Sequence, residues 1–291
     1  MLNKKAKKPR IGFIGQGFIG KNYADDFERR GYQVVRYSME EPHVKNGGKI
    51  SDCDIVFIAV PTPTTPKGFS ADIVKKVVKL VGREKIAVIK STIVPGTTKK
   101  IQKENPKITV LYSPEFLSEA TASYDASHPF SNIVGVSKKG KLQENAAKLV
   151  HSVLPKADFT LTCDSSEAEI IKYGHNVSGY MQILTFNILY DLAKALGGDW
   201  KNIGKAFKAD AMIPNRYSDP VHKNGRGAGG NCFIKDFAAI SSLYKEIVKD
   251  SKGLALIKAA EDKNINLLVS SRKDLALVEG VYGKKVLKKS R

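Results

Sequence analysis

Cysteine is scarce in this chain: three in 291 residues, at positions 53, 163 and 232. They are far apart and odd in number, with no C-x-x-C pair. That argues against a disulfide framework and against a cysteine-ligated metal. Long apolar runs are missing too. No stretch approaches the roughly 18 residues that a membrane-spanning helix needs. The basic start, residues 1–10, is followed by a short strand pattern and a glycine turn, not by the apolar core of a signal peptide. The expectation is a cytoplasmic protein with no membrane partner. Acidic residues are the third shortage: 29 Asp and Glu stand against 48 Lys and Arg, a formal net charge of +19. A field of that sign attracts anions. The lysines are nevertheless spread along the chain, with local clusters at 4–8, 75–79, 138–141 and 284–289, and no basic stripe interleaves with aromatics. No nucleic-acid reader module accompanies them, so they read as solvated faces and nucleic acid is not an expected partner.

What is present is the composition of a globular protein, 42% hydrophobic and 26% charged. Its length suits one large domain or two ordinary ones. Strand patterns fall at 10–14, 33–37, 54–60, 85–90, 109–112 and 132–136, mostly apolar with little alternation, as in a sheet buried on both faces. Helical patterns fall between them at 21–30, 71–80 and 97–104. This rhythm predicts an α/β fold with a doubly wound parallel sheet. From residue 165 the pattern changes. A helix is expected over 165–196, with Ile170, Ile171, Val177, Met181, Leu184, Ile188 and Leu192 at helical spacing and Gly197-Gly198 as its stop. Further helices are expected at 201–208 and 236–248, with a glycine-rich loop at 224–232 between them and one weaker helix from 251. Trp200, the single tryptophan, is placed to pack where the long helix ends.

Gly15-Gln16-Gly17-Phe18-Ile19-Gly20 follows the first strand and opens a helix. In that context the first glycine makes the tight turn, the second lets backbone N–H groups approach a pyrophosphate, and the third lets helix and strand pack closely. The helix N-terminus then faces the phosphates. The end of the second strand ordinarily carries an acid for the adenosine ribose; here that position is Ser38. Arg36 is placed to pair with a 2′-phosphate, and Glu40 or Glu41 to reach a ribose, so NAD and NADP both stay open.

Gly227-Ala228-Gly229-Gly230-Asn231-Cys232-Phe233-Ile234-Lys235-Asp236 resembles the catalytic cysteine loop of the UDP-glucose/GDP-mannose dehydrogenase family. Four further segments resemble that family's signatures in the same order: Val60-Pro61-Thr62-Pro63, then 91–98, then Pro114-Glu115-Phe116-Leu117-Ser118-Glu119, then 167–176. The resemblance runs from about residue 10 to residue 280. It implies a Rossmann NAD(P)-binding domain over 1–163 and an all-α central domain for dimerisation and the catalytic cysteine over 164–291. It also implies oxidation of a nucleotide-sugar primary alcohol to the acid, UDP-glucose to UDP-glucuronate being the simplest case. Such a reaction removes two hydrides and adds one water; a thiolate can trap the intermediate aldehyde as a thiohemiacetal and carry the acid as a thioester until water cleaves it.

By the same resemblance, Cys232 is the nucleophile. Lys172 and Asn176, four apart and so on one helix face, favour the thiolate and stabilise an oxyanion. Glu115, Asp236 and Thr92 handle water. Cofactor contacts are implied at Gly15, Gly17, Phe18, Ile19, Gly20, Ser38, Val60, Pro61, Thr62, Thr92, Glu119 and Lys235. Substrate contacts are implied at Phe116, Leu117, Lys172, Asn176, Arg216, Lys223 and Gly229, the arginine reaching across a homodimer. No metal is expected.

The chain departs from the family pattern in three respects. The family's further nucleotide-binding domain has no counterpart after the last helix. The segment 38–51 is much shorter than usual, which predicts a sheet lacking its outermost strand on that side. Ile234 replaces the usual proline, and Ser38 the usual acid. Two alternative functions follow: a two-electron dehydrogenase acting on a smaller hydroxy compound, and a non-catalytic, dimer-forming subunit.

Overall fold

A computed structural model describes residues 8–289. Most of the first lysine cluster, in 1–7, lies outside the described residues. Along the chain the elements are β1 (Ile11–Ile14), α1 (Phe18–Arg29), β2 (Val34–Tyr37), β3 (Ile55–Ile58), β4 (Thr64–Thr65), β5 (Gly68–Phe69), α2 (Asp72–Val77), β6 (Ile86–Ile89), α3 (Thr97–Glu104), β7 (Thr109–Tyr112), α4 (Ala122–Ser127), β8 (Ser131–Val136), α5 (Lys141–Val153) and β9 (Phe159–Asp164). They continue as α6 (Ser165–Ala195), α7 (Trp200–Ala209), β10 (Val221–His222), β11 (Gly225–Arg226), α8 (Gly230–Ile247), α9 (Ser251–Ser270), α10 (Leu275–Tyr282) and α11 (Lys285–Lys289). The chain divides into two units, residues 1–62 with 70–172 and residues 63–69 with 173–291, so the division falls inside α6.

The first unit is built on a seven-stranded sheet ordered β2-β1-β3-β6-β7-β8-β9. Every position of β1, β3, β6 and β7 is buried, which is why these strands read as continuous apolar runs. The strand order reverses between β1 and β3, so the glycine turn after β1 lies at the topological switch point, where doubly wound sheets bind their ligands. Phe13, Phe27 and Phe57 interlock at ring-centroid distances of 5.0–5.4 Å and pin α1 to the sheet.

The sheet is not wholly parallel. β8 runs antiparallel to β7, while β9 returns parallel to β8. Direction is set by the connection and leaves no mark on hydrophobicity. β9, α4 and α5 were absent from the expected elements. β9 is an edge strand whose residues are all exposed or half-buried, so it shows no apolar run. Segment 38–51 forms no strand; a short 3₁₀ helix at Val44–Asp52 takes its place, and β2 is the sheet edge, as the shortness of that segment predicts.

The second unit is helical, with two additions: the ribbons β4–β5 and β10–β11. α6 ends at the expected glycines, where Gly198 N–H donates to the Ala193 carbonyl at 2.8 Å and Gly197 takes the left-handed conformation. Trp200 packs edge-on against Tyr190 and Phe207, as its position predicts. α8 starts six residues earlier than its apolar pattern, because glycines at a helix start carry no periodicity; residues 230–232 are therefore helix, not loop. The tail forms three helices instead of one. Tyr180 of α6 stacks on Phe237 of α8 at 3.8 Å and, with Leu184, Ala260 and Leu267, makes the core of this unit.

Candidate active site

The glycine turn separates packing from binding. A Cβ on Gly15 would lie 2.1 Å from the Ala59 carbonyl oxygen, and one on Gly20 1.9 Å from that of Gly15, so neither position admits a side chain. A Cβ on Gly17 meets nothing within 4 Å. α1 has no side-chain cap and no acid in its first turn, so its terminal N–H groups and positive dipole end suit an anion. The residues present therefore fit a dinucleotide pyrophosphate. Phe18 is exposed and Ile19 half-buried beside it.

At the end of β2, Ser38 Oγ accepts from Glu40 N–H and donates to the Glu40 carbonyl. Arg36 is committed elsewhere. Its guanidinium lies 2.6 Å from Asp25 and 2.7 Å from Glu28, both on α1. At the ends of β3 and β6, Ser91 Oγ accepts from Val60 N–H at 2.9 Å and donates to the Val60 carbonyl, and Thr62 Oγ1 donates to the Thr92 carbonyl at 2.7 Å. The sequence-predicted Val60, Thr62 and Thr92 are thus gathered into one bonded edge; Pro61 is exposed between them.

Lys172 and Glu115 form a buried ion pair, 3% and 4% exposed, with Nζ 2.8 Å from Oε1 and 2.7 Å from the Glu115 carbonyl. Leu117 N–H donates to Oε2 at 2.9 Å. Burial pushes the Glu115 carboxyl up, but the Lys172 ammonium and these hydrogen bonds hold it below the usual carboxylate range. The Phe116 ring lies 5.5 Å from Lys172 Nζ. Glu119 is exposed in the loop beyond.

Two residues that sequence reasoning missed support this corner. Lys90, 2% exposed, donates to the Ser113 carbonyl and Oγ at 3.3 Å, with Nζ 4.2 Å from the centre of the Tyr23 ring. Burial pulls its ammonium down to about 7. A lysine directly after the apolar run 86–89 was the available signal. Glu169, fully buried on α6, accepts from Gly96 N–H at 2.6 Å and from Thr98 N–H and Oγ1 at 2.8 and 2.6 Å, capping α3 from outside it.

In the second unit Cys232 is exposed in the first turn of α8, and no disulfide joins it to Cys53 or Cys163. Asp236 is buried one turn further on the same face. Asn176 Nδ2 donates to Asp236 Oδ2 at 2.7 Å, and Lys235 Nζ lies 2.5 Å from Oδ1. Asn176 of α6 is thereby held to the α8 face that carries the cysteine. Gly229 is the N-cap of that helix. Arg216 is exposed between α7 and β10, and Lys223 sits at the tip of the β10–β11 ribbon. Among the described residues there is no His/Cys/Asp/Glu cluster able to hold a metal. No described helix is long and apolar enough to cross a membrane.

A doubly wound sheet with an open glycine turn, followed by a helical unit whose α8 carries a cysteine in its first turn, defines a dinucleotide-binding fold of the dehydrogenase kind. Residues 43–153 match the NAD binding domain of the UDP-glucose/GDP-mannose dehydrogenase family and residues 166–266 its central domain; the chain belongs to that family. A UDP-glucose 6-dehydrogenase of Rickettsia conorii is 26% identical over 264 residues, 86% of this chain and 60% of the relative. The structure of a UDP-glucose dehydrogenase from the archaeon Pyrobaculum islandicum superposes with a TM-score of 0.77 at 25% identity, over 94% of this chain and 73% of that one. The Mycobacterium tuberculosis 3-hydroxyisobutyrate dehydrogenase shares the fold, with a TM-score of 0.68 at 12% identity, over 98% of this chain and 100% of that one.

Proposed function

We propose that the chain is a nucleotide-sugar dehydrogenase that oxidises a sugar primary alcohol to the acid with NAD, as in UDP-glucose to UDP-glucuronate, with Cys232 as the nucleophile. The observation that carries this reading is the exposed Cys232 in the first turn of α8, one turn before an Asp236 gripped by Asn176 and Lys235. The positive end of a helix favours a negative charge on sulfur. NAD, when bound at the glycine turn, would supply the hydride acceptor for each of the two oxidations, one molecule per hydride. Cys232 adds to the aldehyde as a thiohemiacetal and holds the acid as a thioester, which one water cleaves. Asn176 and Lys172 stabilise the oxyanion, Asp236 orients the water, and Glu115, kept ionised by Lys172, takes a proton from it. Thr92 hydrogen-bonds that water. Arg216 and Lys223 bind substrate phosphates. NAD is favoured over NADP because Arg36 is already paired with Asp25 and Glu28. A homodimer is favoured by Ile170, Ile188 and Leu192, exposed along α6.

The purified chain is tested with NAD and a panel of UDP- and GDP-sugars. The expected result is two reduced cofactors per acid formed and loss of turnover in Cys232→Ala. One reduced cofactor per turnover, with Cys232→Ala active, would replace this with the two-electron reading. Ligand-induced thermal stabilisation by NAD without any reduction would leave a non-catalytic subunit.

A further inference from the structure

Asp274 stands directly before α10, where an aspartate ordinarily caps its own helix. Its side chain makes no bond to α10. Oδ2 accepts instead from Gly230 N–H, the first residue of α8, at 2.8 Å and across 44 positions of sequence. Neighbouring residues of the same turn hold the rest of the loop that leads into α8. Lys273 Nζ donates to the Gly227 carbonyl at 2.9 Å. Ser271 Oγ accepts from Arg226 N–H at 2.9 Å. Asn264, on α9, takes both polar groups of the Ala228 backbone, at 2.7 and 3.0 Å. Contact is tight enough that a Cβ on Gly229 would lie 2.1 Å from Asp274 Oδ2. The turn is costly to hold: Arg272 (φ 56) and Asp274 (φ 53) are both non-glycine residues in the left-handed region. It is mounted on α8 itself, because Val278 and Val281 of α10 pack on Ile234 and Ala238.

We propose that the Lys273–Asp274 turn is the positioning device for the Cys232 thiol. Asp274 fixes the first N–H of α8, and Lys273 the Gly227 carbonyl in the loop that leads into it, so that the first turn stays wound beneath the sulfur. Asp274 and Lys273 act through backbone and are positioning residues. The proposal rests on Cys232 being the nucleophile, but its test does not need turnover.

The pH midpoint of Cys232 alkylation by iodoacetamide, read by peptide mass spectrometry, is compared between Asp274→Asn and Asp274→Ala. Both variants lose the charge, so their difference isolates the acceptor. Asp274→Ala is expected to titrate about half a pH unit above Asp274→Asn, the size of one helix-terminus interaction. Lys273→Met and Lys273→Gln form a second pair, uncharged in both and with a donor for the Gly227 carbonyl only in the glutamine, with the same expectation, which keeps the test open if Asp274→Ala does not fold. Coincident midpoints within both pairs would overturn the proposal. If the midpoints separate but Cys232→Ala still reduces NAD, the turn positions this thiol and the nucleophile reading fails by itself.

Discussion

Lys172 holds Glu115 by both its charge and its backbone, with Nζ 2.8 Å from the carboxylate and 2.7 Å from the carbonyl oxygen. Removing one partner leaves the other charge buried and uncompensated. Lys172→Met is expected to lower stability by about 3–5 kcal/mol in urea unfolding, and adding Glu115→Gln to recover most of that. The folded carboxyl is depressed, so the pair's contribution is complete above the unfolded carboxylate range and disappears as pH falls through the lower, folded value. Acid titration of unfolding in the two proteins measures it.

Lys90 gives a dependence of the same sign in a higher pH window. Its folded ammonium titrates at about 7, whereas an unfolded lysine titrates at about 10.4. Between those values the unfolded chain holds a proton that the folded one has lost, so stability rises with pH, by at most about 1.4 kcal/mol per unit. Lys90→Met is expected to flatten this rise in denaturation midpoints collected from neutral to alkaline pH. An unchanged slope would mean that Lys90 is not the titrating group.

The glycine turn divides into fold and function. Gly15→Ala and Gly20→Ala force a Cβ to about 2 Å from a backbone oxygen and are expected to prevent folding. Gly17→Ala meets open space. It should melt within a few degrees of the parent yet lose most of the thermal stabilisation that NAD confers.

Arg36 is kept from a 2′-phosphate by Asp25 and Glu28. Asp25→Asn with Glu28→Gln releases it. The ratio of NADP to NAD affinity is expected to rise on the order of tenfold, the value of one charge-assisted hydrogen bond. Equilibrium titration of both cofactors reads the change, and an unmoved ratio would refute the assignment.

Much of the first unit was legible in the sequence because burial on both faces writes itself as an apolar run, and because Gly15 and Gly20 are demanded by contacts only glycine permits. The edge strand β9 was illegible for the converse reason: little of it is buried, so nothing constrains its composition. α8 began before its pattern did, which is why Cys232 read as a loop residue. The identities of Glu115, Lys172, Asn176 and Asp236 came from resemblance. Their pairing, Glu115 with Lys172 and Asn176 with Asp236, came only from the fold. By itself the sequence determined the buried strands of the first unit, the glycine turn after β1, the long α6 and the position of the cysteine. Tertiary structure decided the direction of β8, the burial of Lys90 and the reach of Asp274 to Gly230, since a hydrogen bond across 44 residues leaves no local trace in either partner.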